Sequence, residues 1–269
     1  MNSRIQVSII TINYNNAKGL EKTIASVIKQ KLVAKEHIVI DGGSNDDSKQ
    51  IIEKNTANID YWVSEKDFGI YNAMNKGIAV AEGTYLLFLN SGDYLLGEDA
   101  LDVVFASKKN QDILYANLKT DNRVITYPAI LNFSFFFRDS IGHPAAFIKR
   151  QLFDTYGLYN EENKIVSDWE FFIKTILINK VSYAYINKEV TFYESNGISS
   201  NAHSIKLHEQ ERENVLRKYF SEFYPALISE LTEQQHELNR YKNSRAIKKV
   251  TSFMSSGLYQ FFKSKNSIF

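Results

Sequence analysis

Apolar and polar positions alternate regularly over the first third of the chain. Nearly continuous apolar runs at 5–12, 36–40, 59–65 and 84–90 are typical of strands buried on both faces, as in a parallel sheet. Between these runs, apolar residues recur at a spacing of three or four, which predicts an amphipathic helix. This alternation predicts βαβ units and an α/β fold with a doubly wound, mostly parallel sheet.

The helices predicted between these strands have identifiable inward faces and ends. Asp46 or Asp47 is expected to cap the second helix. Gly83 is placed as the C-cap of the third. The inward-facing residues share helical spacing, and they are Leu20, Ile24, Val27 and Ile28, then Ile51 and Ile52, then Tyr71, Met74, Ile78 and Ala81.

After residue 100 the alternation is less regular. The predicted segments are strands at 112–118 and 123–127, a short aromatic helix or loop at 133–139, a segment at 143–148 leading into a helix at 149–155, a helix at 167–177, one or two strands at 181–194, and a helical pattern from 203 onward. We therefore expect one large domain over 1–200 and a helical C-terminal extension over 201–269.

Composition and charge narrow the class of protein. The chain has 269 residues, of which 44% are hydrophobic and 23% charged, as in a soluble globular protein. A net charge of +1 gives no reason to expect a nucleic-acid partner. Cysteine is absent, which excludes disulfides and thiolate metal sites and suits a cytoplasmic location. The first residues are interpreted as a strand, not a signal peptide. No apolar stretch reaches the roughly 18 residues expected of a membrane span.

Polar clusters follow all four of the first strands at the points where the strands are predicted to end. These clusters lie at 13–16, 41–47, 65–69 and 90–93. Because doubly wound sheets bind ligands outside the carboxyl ends of their strands, we expect the clusters to form one site. The sequence has neither G-x-G-x-x-G nor a Walker-type Gly-Lys-Ser/Thr, so a nucleotide would be held in another way.

Five residues each allow a functional and a structural interpretation. Asp41 would accept a hydrogen bond from a base or a ribose, or would form an Asx-type turn. Asp93 would coordinate a divalent cation through oxygen, or would close the turn of "NSGD". Asp168 or Glu170 would be a general base, or both would favour a helix N-terminus. His143 would contact a phosphate or the acceptor, or would be structural.

The order of these motifs resembles that of the family 2 inverting glycosyltransferases, which have the nucleotide-diphospho-sugar-binding fold called GT-A. The first strand with "YNN" resembles the opening signature of the family, and "VIDGGSNDDSKQII" is similar to its second-strand segment. "WVSEKDFGIYNAMNKGIAVAEGTYLLFLNSGD" resembles the stretch that leads into its Asp-x-Asp-type metal motif. "IGHPAAFIKRQLFDTYGLYNEENKIVSDWEFFIK" is similar to its acceptor-side segment, and "FYESNGISS" resembles a loop of the capsule and lipopolysaccharide branch.

The resemblance covers roughly residues 5–200 and implies a role for each matching residue. It divides the domain into a nucleotide-sugar-binding half, 1–97, and an acceptor-binding half, 98–200. Asp93 would bind Mn²⁺ or Mg²⁺, and Asp168 would be the catalytic base. The donor-binding residues would be Thr11, Asn13, Tyr14, Asp41, Asp67, Asn90 and Gly92, and the acceptor or phosphate side would include His143, Trp169 and Glu170.

Two features depart from the pattern of the family. Asn90 and Gly92 stand where the metal motif usually has further acids, so diphosphate and water would supply most of the metal's ligands. Ser167 stands where glutamate is common, although Asp168 is retained. The implied reaction is a one-step displacement with inversion: Asp168 takes the proton of an acceptor hydroxyl, and the metal stabilises the departing diphosphate.

The C-terminal segment 240–265 is basic, with apolar residues at helical spacing. This pattern indicates either a helix on a membrane surface or one packed on the catalytic domain. The resemblance implies a nucleotide-sugar donor, preferably UDP-linked, and a glycan or lipid-linked acceptor in cell-surface polysaccharide synthesis, at the inner face of the membrane. The alternatives are a nucleotidyltransferase on a related sheet and a non-catalytic nucleotide-sugar-binding module.

Overall fold

The computed structural model describes residues 5–32, 34–106, 110–194 and 202–226, together with residues 229, 233 and 240. The chain divides into two compact units, Met1–Arg212 and Glu213–Phe269. Among the described residues, no helix combines the length and the apolar character needed to cross a membrane. The tail segment 241–265, with its predicted membrane contact, lies outside the described residues, as does the part of "FYESNGISS" after Glu194.

Four parallel strands form the first half of the sheet, as the sequence predicted. They are β1 (Val7–Asn13), β2 (Lys35–Asp41), β3 (Tyr61–Ser64) and β4 (Tyr85–Asn90), in the order β3-β2-β1-β4. In the register, Asn13 is opposite Asp41, Asp41 is opposite Ser64, and Ile12 is opposite Asn90. The polar clusters at the strand ends are therefore brought to one edge of the sheet.

The sheet continues past β4 with strands of mixed direction. These are β5 (Tyr94–Leu95), β6 (Ile113–Lys119), β7 (Val124–Ile125), β8 (Ala146–Lys149) and β9 (Tyr183–Phe192). The order runs β4-β8-β6-β9-β5, with β7 beside β6, and β8 is antiparallel to both its neighbours. The result is a nine-stranded mixed sheet with helices against it, which confirms the predicted α/β class.

The helices of the described residues are mostly short. They are α1 (Ala17–Ile28), α2 (Ser48–Lys54), α3 (Ile70–Val80), α4 (Ala100–Ala106), α5 (Phe133–Arg138), α6 (Gln151–Tyr156), α7 (Ser167–Phe172) and α8 (Ala202–Tyr219). A 3-10 turn covers His143–Ala145, and a π-helical segment, Ile173–Ile178, follows α7 directly. In the second unit, Arg217 at the end of α8 pairs with Glu213 and lies over the ring of Tyr224.

Two details of the predicted helices were wrong, whereas the expected position of the α2 N-cap is confirmed. Ile28, the last residue of α1, is 40% exposed and does not belong to the buried face of that helix. Gly83 is not a cap, because α3 ends at Val80 with Ala81 as its C-cap. Gly83 instead lets the chain pass Ser8, since a Cβ there would lie 2.5 Å from the Ser8 nitrogen. Asp47 occupies the N-cap of α2 without a side-chain bond, while Asp46 accepts hydrogen bonds from the backbone of Ser48 and of Ala17.

Candidate active site

Asp41, at the end of β2, is the centre of a hydrogen-bonded cluster. Its carboxylate accepts bonds from Asn13 Nδ2 at 2.7 Å, Ser64 Oγ at 2.7 Å, the Ser44 amide at 3.0 Å and the Ser44 hydroxyl. Burial raises the pKa of Asp41, but these four donors outweigh burial and hold the pKa below its usual value. A carboxylate offers about four acceptor positions, so a nucleotide that bonds to Asp41 must displace one of these donors.

The other predicted donor-binding residues of this region divide into two groups. Asp67 lies against Gly42, where a Cβ would be 2.4 Å from Asp67 Oδ2, and Tyr14 is 65% exposed beyond the end of β1. Both residues remain candidates for binding the base and the ribose of the donor nucleotide. Thr11 has no exposed surface, and its hydroxyl is 3.0 Å from His37 Nε2. Thr11 is therefore a core residue, which corrects its predicted place in the nucleoside pocket.

A cavity of about 660 Å³ joins the end of β4 to the start of α7. It is lined on one side by the segment Asn90–Asp93 and on the other by His143 and Asp168, so it brings the predicted metal and catalytic residues together. Residues that the sequence did not single out for the site also line it, and they include Lys18, Lys22, Tyr71, Arg123, Tyr127, Lys164 and Glu194.

The segment Asn90–Asp93 is held in place by α1. Asn16 Nδ2 donates to the Ser91 carbonyl at 2.8 Å, and the Gly92 amide donates to Thr23 Oγ1 at 3.0 Å. The Thr23 hydroxyl in turn lies 2.7 Å from the Asp93 carbonyl oxygen. Gly92 has φ +110°, a conformation that favours glycine, so this position tolerates other residues poorly.

Asp93 is 1% exposed, and its carboxylate is only partly satisfied by the protein. The Glu194 amide donates to Oδ1 at 2.9 Å and the Asn90 amide donates to Oδ2 at 3.2 Å, which leaves about two acceptor positions. Burial raises the pKa of Asp93 to about 6, against the lowering effects of the Glu194 amide and of His143. Asn90 Oδ1 is buried and has no hydrogen-bond partner among the described residues.

These oxygens fit a divalent cation that the protein holds weakly. The described residues contain no group of three or more His, Asp or Glu side chains placed to hold a metal ion. Asp93 supplies one carboxylate with open acceptor positions, and Asn90 supplies an unpaired amide oxygen. Mg²⁺ is commonly bound through one or two carboxylates, with water and substrate phosphate as its other ligands. The donor set suits that mode, and does not suit a cation caged by protein alone.

Asp168, in the first turn of α7, has three hydrogen-bond donors. His143 Nδ1 lies 3.0 Å from Oδ2, while the Tyr71 hydroxyl and the Trp169 amide each lie 2.9 Å from Oδ1. Burial raises the pKa of Asp168, but the bonds from His143, Tyr71 and Trp169 outweigh it and lower the pKa below its ordinary value. Asp168 is therefore ionised at neutral pH, with one acceptor position still open on Oδ2.

His143 and Tyr71 form the surroundings of this carboxylate. His143 Nε2 is buried and has no partner among the described residues, so the ring is oriented through Nδ1 alone. The Tyr71 hydroxyl also lies 2.7 Å from the Ile165 carbonyl oxygen. The sequence placed Tyr71 on the buried face of α3, which is correct for its ring. A buried tyrosine hydroxyl needs a polar partner, and this was the signal in the sequence that Tyr71 could contact the site.

Trp169 and Glu170 do not line the cavity, which corrects their predicted acceptor-side role. The Trp169 indole is 2% exposed, donates to the Phe136 carbonyl at 2.9 Å and lies under the Arg212 guanidinium. Glu170 is 5% exposed and accepts a bond from Asn163 Nδ2 at 2.7 Å. Successive helical residues point about 100° apart, so only Asp168 of the three faces the cavity.

Glu211 on α8 binds the backbone of the segment that precedes Asp168. It is 6% exposed, and its two oxygens accept the backbone N–H groups of Lys164 at 2.7 Å and Ile165 at 3.0 Å. These two residues precede Asp168 and line the cavity. The first half of α8 therefore belongs to the unit that contains the site, although the sequence pattern showed only a helical extension.

Comparison with known proteins identifies the family and the fold. The sequence profile described as "Glycosyl transferase family 2" matches residues 8–154, which is more than half of the chain. A protein of Mycobacterium tuberculosis, named as an uncharacterized glycosyltransferase, is 35% identical over 187 residues; the alignment covers 66% of this chain and 71% of the relative.

Two solved structures share the fold. S. aureus TarS 1–349 in complex with UDP-GlcNAc aligns with a TM-score of 0.61 at 22% identity, covering 73% of this chain and 61% of that chain. The mannosyltransferase PcManGT from Pyrobaculum calidifontis, in complex with GDP-Man and Mn²⁺, aligns with a TM-score of 0.62 at 15% identity, covering 99% and 84%. At these identities the likeness is one of fold.

Proposed function

Because this chain belongs to glycosyl transferase family 2, we propose that it moves a sugar from a nucleotide-diphospho-sugar to an acceptor hydroxyl with inversion at the anomeric carbon. The observation that carries the proposal is the pairing, in one cavity, of the ionised Asp168 with the Asn90–Asp93 segment. A general base and a site for the leaving diphosphate are the two parts that a one-step displacement requires.

Asp168 performs the proton transfer in this reaction. The acceptor hydroxyl bonds to the open position on Oδ2, and its oxygen attacks the anomeric carbon while the bond to the diphosphate breaks. The proton passes to Asp168, and the nucleoside diphosphate leaves on the opposite face, which inverts the anomeric configuration. The hydrogen bonds from His143 and Tyr71 fix the carboxylate before the acceptor arrives.

The donor spans two parts of the sheet edge. The nucleoside lies at the cluster of Asp41 and Asp67, where Tyr14 offers an exposed ring, and the diphosphate and sugar extend past β1 toward Asn90 and Asp93. We favour a UDP-sugar, for which the UDP-GlcNAc complex of TarS gives support, and GDP-mannose is the second choice because of the PcManGT complex.

Asp93 and Asn90 would hold Mn²⁺ or Mg²⁺ together with the donor diphosphate. When bound, such a cation offsets the charge that develops on the departing diphosphate. Contacts with α1 and with the Glu194 amide fix Asp93, which would hold the cation. The PcManGT complex contains Mn²⁺, which supports this choice of ion.

The acceptor is a glycan or lipid-linked molecule in cell-surface polysaccharide synthesis, of the capsule or lipopolysaccharide kind. The acceptor half of the cavity supports a partly apolar partner, since Ile125, Tyr127, Ile141 and Ile165 line it beside polar groups. The basic segment 240–265 would bring the enzyme to the cytoplasmic face of the membrane, where a lipid-linked acceptor is found.

Substitution of Asp168 tests the function. Asp168→Asn keeps the shape of the side chain and removes the base, so we expect transfer from, or hydrolysis of, UDP-GlcNAc with Mn²⁺ to fall roughly 100- to 10,000-fold. Calorimetric binding of UDP should be retained. Asp139→Asn is the control, because Asp139 lines the same cavity and is exposed. Equal turnover by Asp168→Asn and the wild type would exclude Asp168 as the base, and UDP binding without turnover in the wild type would favour a binding module.

A further inference from the structure

Two lysines on α1, Lys18 and Lys22, line the cavity beside the Asn90–Asp93 segment. They are four residues apart, so they lie on one face of the helix, about one turn from each other. The neighbouring face of α1, with Thr23, is the face that holds Gly92 and Asp93. Both lysines are exposed, so their ammonium groups are free to reach a ligand in the cavity.

Neither lysine of this pair forms an ion pair within the described part of the chain. None of the ion pairs among the described residues includes Lys18 or Lys22. Like charges four residues apart on a helix destabilise it. Neither side chain is needed for packing, since Leu20, Ile24 and Val27 form the buried face of α1. A multivalent anion between the two ammonium groups would remove the repulsion.

The path of the donor passes this position. Its nucleoside end is at Asp41 and Asp67, at the ends of β2 and β3, and its reacting sugar is in the cavity with Asp168. In the strand order β3-β2-β1-β4, a ligand that joins these two places crosses the end of β1, which is where α1 begins. The part of the donor that crosses there is its diphosphate.

The segment Asn90–Asp93 contains a single carboxylate, so further positive charge beside it would help to bind the diphosphate. The diphosphate carries about two negative charges and gains another when the sugar leaves. A cation held by one carboxylate, that of Asp93, is bound weakly by the protein itself. The two ammonium groups would supply positive charge whether or not a cation is present, because lysine binds phosphate as a point charge.

We propose that Lys18 and Lys22 form a diphosphate-binding pair that shares with Asp93 the charge compensation of the donor. This inference rests on the proposed function, because it assumes a nucleotide-diphospho-sugar donor. Its specific consequence is that the protein binds a nucleoside diphosphate appreciably even when divalent cations are removed.

The test is calorimetric binding of uridine, UMP and UDP, and of GDP as the alternative nucleotide, each with EDTA and with MnCl₂. In EDTA, Lys18→Gln/Lys22→Gln should weaken UDP binding roughly tenfold, and each single substitution should weaken it less. Uridine binding should not change. Adding Mn²⁺ should improve UDP binding more in the double variant than in the wild type, because the cation replaces the lost charge.

Two further variants separate this effect from a general loss of charge or of folding. Lys29→Gln removes the same charge from the end of the same helix, and Lys29 is likewise exposed and outside the cavity lining, so UDP binding should stay as in the wild type. Lys22→Arg keeps the charge and should keep most of the binding. No variant should unfold at a markedly lower temperature than the wild type, because no buried contact is removed.

The results distinguish failure of this inference from failure of the proposed function. If the wild type binds UDP and the double variant binds it equally well in EDTA, the lysine pair is refuted and the proposed function stands. If Lys29→Gln weakens UDP binding as much as the double variant, the effect is a general one and the pair is again refuted. If the wild type binds neither UDP nor GDP in either buffer, the proposed function fails and the inference falls with it.

Discussion

Glu211 is expected to stabilise the loop that leads into α7, and Glu211→Ala measures by how much. The substitution removes the acceptors of two backbone N–H groups, those of Lys164 and Ile165. Hydrogen bonds to a charged group are worth about 1.5–3 kcal/mol each. Lys164 is exposed, so water can replace one of the lost bonds, whereas Ile165 is half-buried. We therefore expect the free energy of unfolding to fall by about 2–4 kcal/mol.

Urea denaturation followed by tryptophan fluorescence suits this measurement. The two tryptophans of the chain, Trp62 and Trp169, both lie in the unit Met1–Arg212, so the signal reports on the unit that contains Glu211. Because Ile165 also contacts the Tyr71 hydroxyl through its carbonyl, turnover should fall as well, even at urea concentrations where the protein remains folded.

Two matched variants make the reasoning refutable. Glu209→Ala removes an exposed carboxylate from the same helix, with the same change in helix propensity, and should change stability by less than about 0.5 kcal/mol. Glu211→Gln keeps one acceptor oxygen and should lie between the wild type and Glu211→Ala. If Glu211→Ala is no less stable than Glu209→Ala, then α8 does not stabilise the loop through Glu211.

Three other outcomes follow from the described contacts and from the tail. Tyr71→Phe removes one of the bonds that lower the pKa of Asp168, so the acidic limb of the activity profile should move to higher pH, and turnover should fall roughly 3- to 30-fold; an unchanged profile would show that Tyr71 does not act on the base. Burial lowers the pKa of His37 to about 3, so the unfolded chain binds an extra proton between about pH 6.5 and 3. Stability should therefore fall as pH falls through that window, by up to about 1.4 kcal/mol per pH unit from this group, and urea titrations of His37→Gln should show a correspondingly weaker dependence. Full-length protein should float with anionic liposomes, and a version ending near residue 240 should not; equal behaviour of the two would refute membrane contact by 240–265.

The sequence was most informative about residues that follow the ends of the parallel strands. A polar cluster after each of four apolar runs was sufficient to place Asp41, Asp67 and Asp93 at one edge, because parallel strands end together. Asp168 required the resemblance to a family in addition, since an acid in the first turn of a helix is common for other reasons.

The errors in the predicted site residues concern which face of a helix or strand is buried. The spacing of residues along the sequence does not determine this by itself. Thr11 lies two residues before the end of β1 and is buried in the core, where it contacts His37. Asn13, the last residue of β1, belongs to the polar cluster and donates to Asp41. Trp169 and Glu170 adjoin Asp168 in sequence but project from other sides of α7. Glu211 was unrecognisable as a support because its partners lie 46 and 47 residues earlier in the chain.

The single hydrogen of the Tyr71 hydroxyl has two acceptors, the Ile165 carbonyl and the Asp168 carboxylate, and only the carboxylate would change its charge in the proposed reaction. Burial and Asp168 raise the pKa of Tyr71 well above its ordinary value, so the hydroxyl keeps that hydrogen. While Asp168 is ionised, its negative charge draws the hydrogen toward the carboxylate and away from the Ile165 carbonyl. If Asp168 takes the acceptor's proton, as proposed, that attraction weakens and the hydrogen can rotate to Ile165. In the proposed reaction, the bond between Tyr71 and the Ile165 carbonyl would therefore strengthen when Asp168 is protonated and weaken when Asp168 is ionised again.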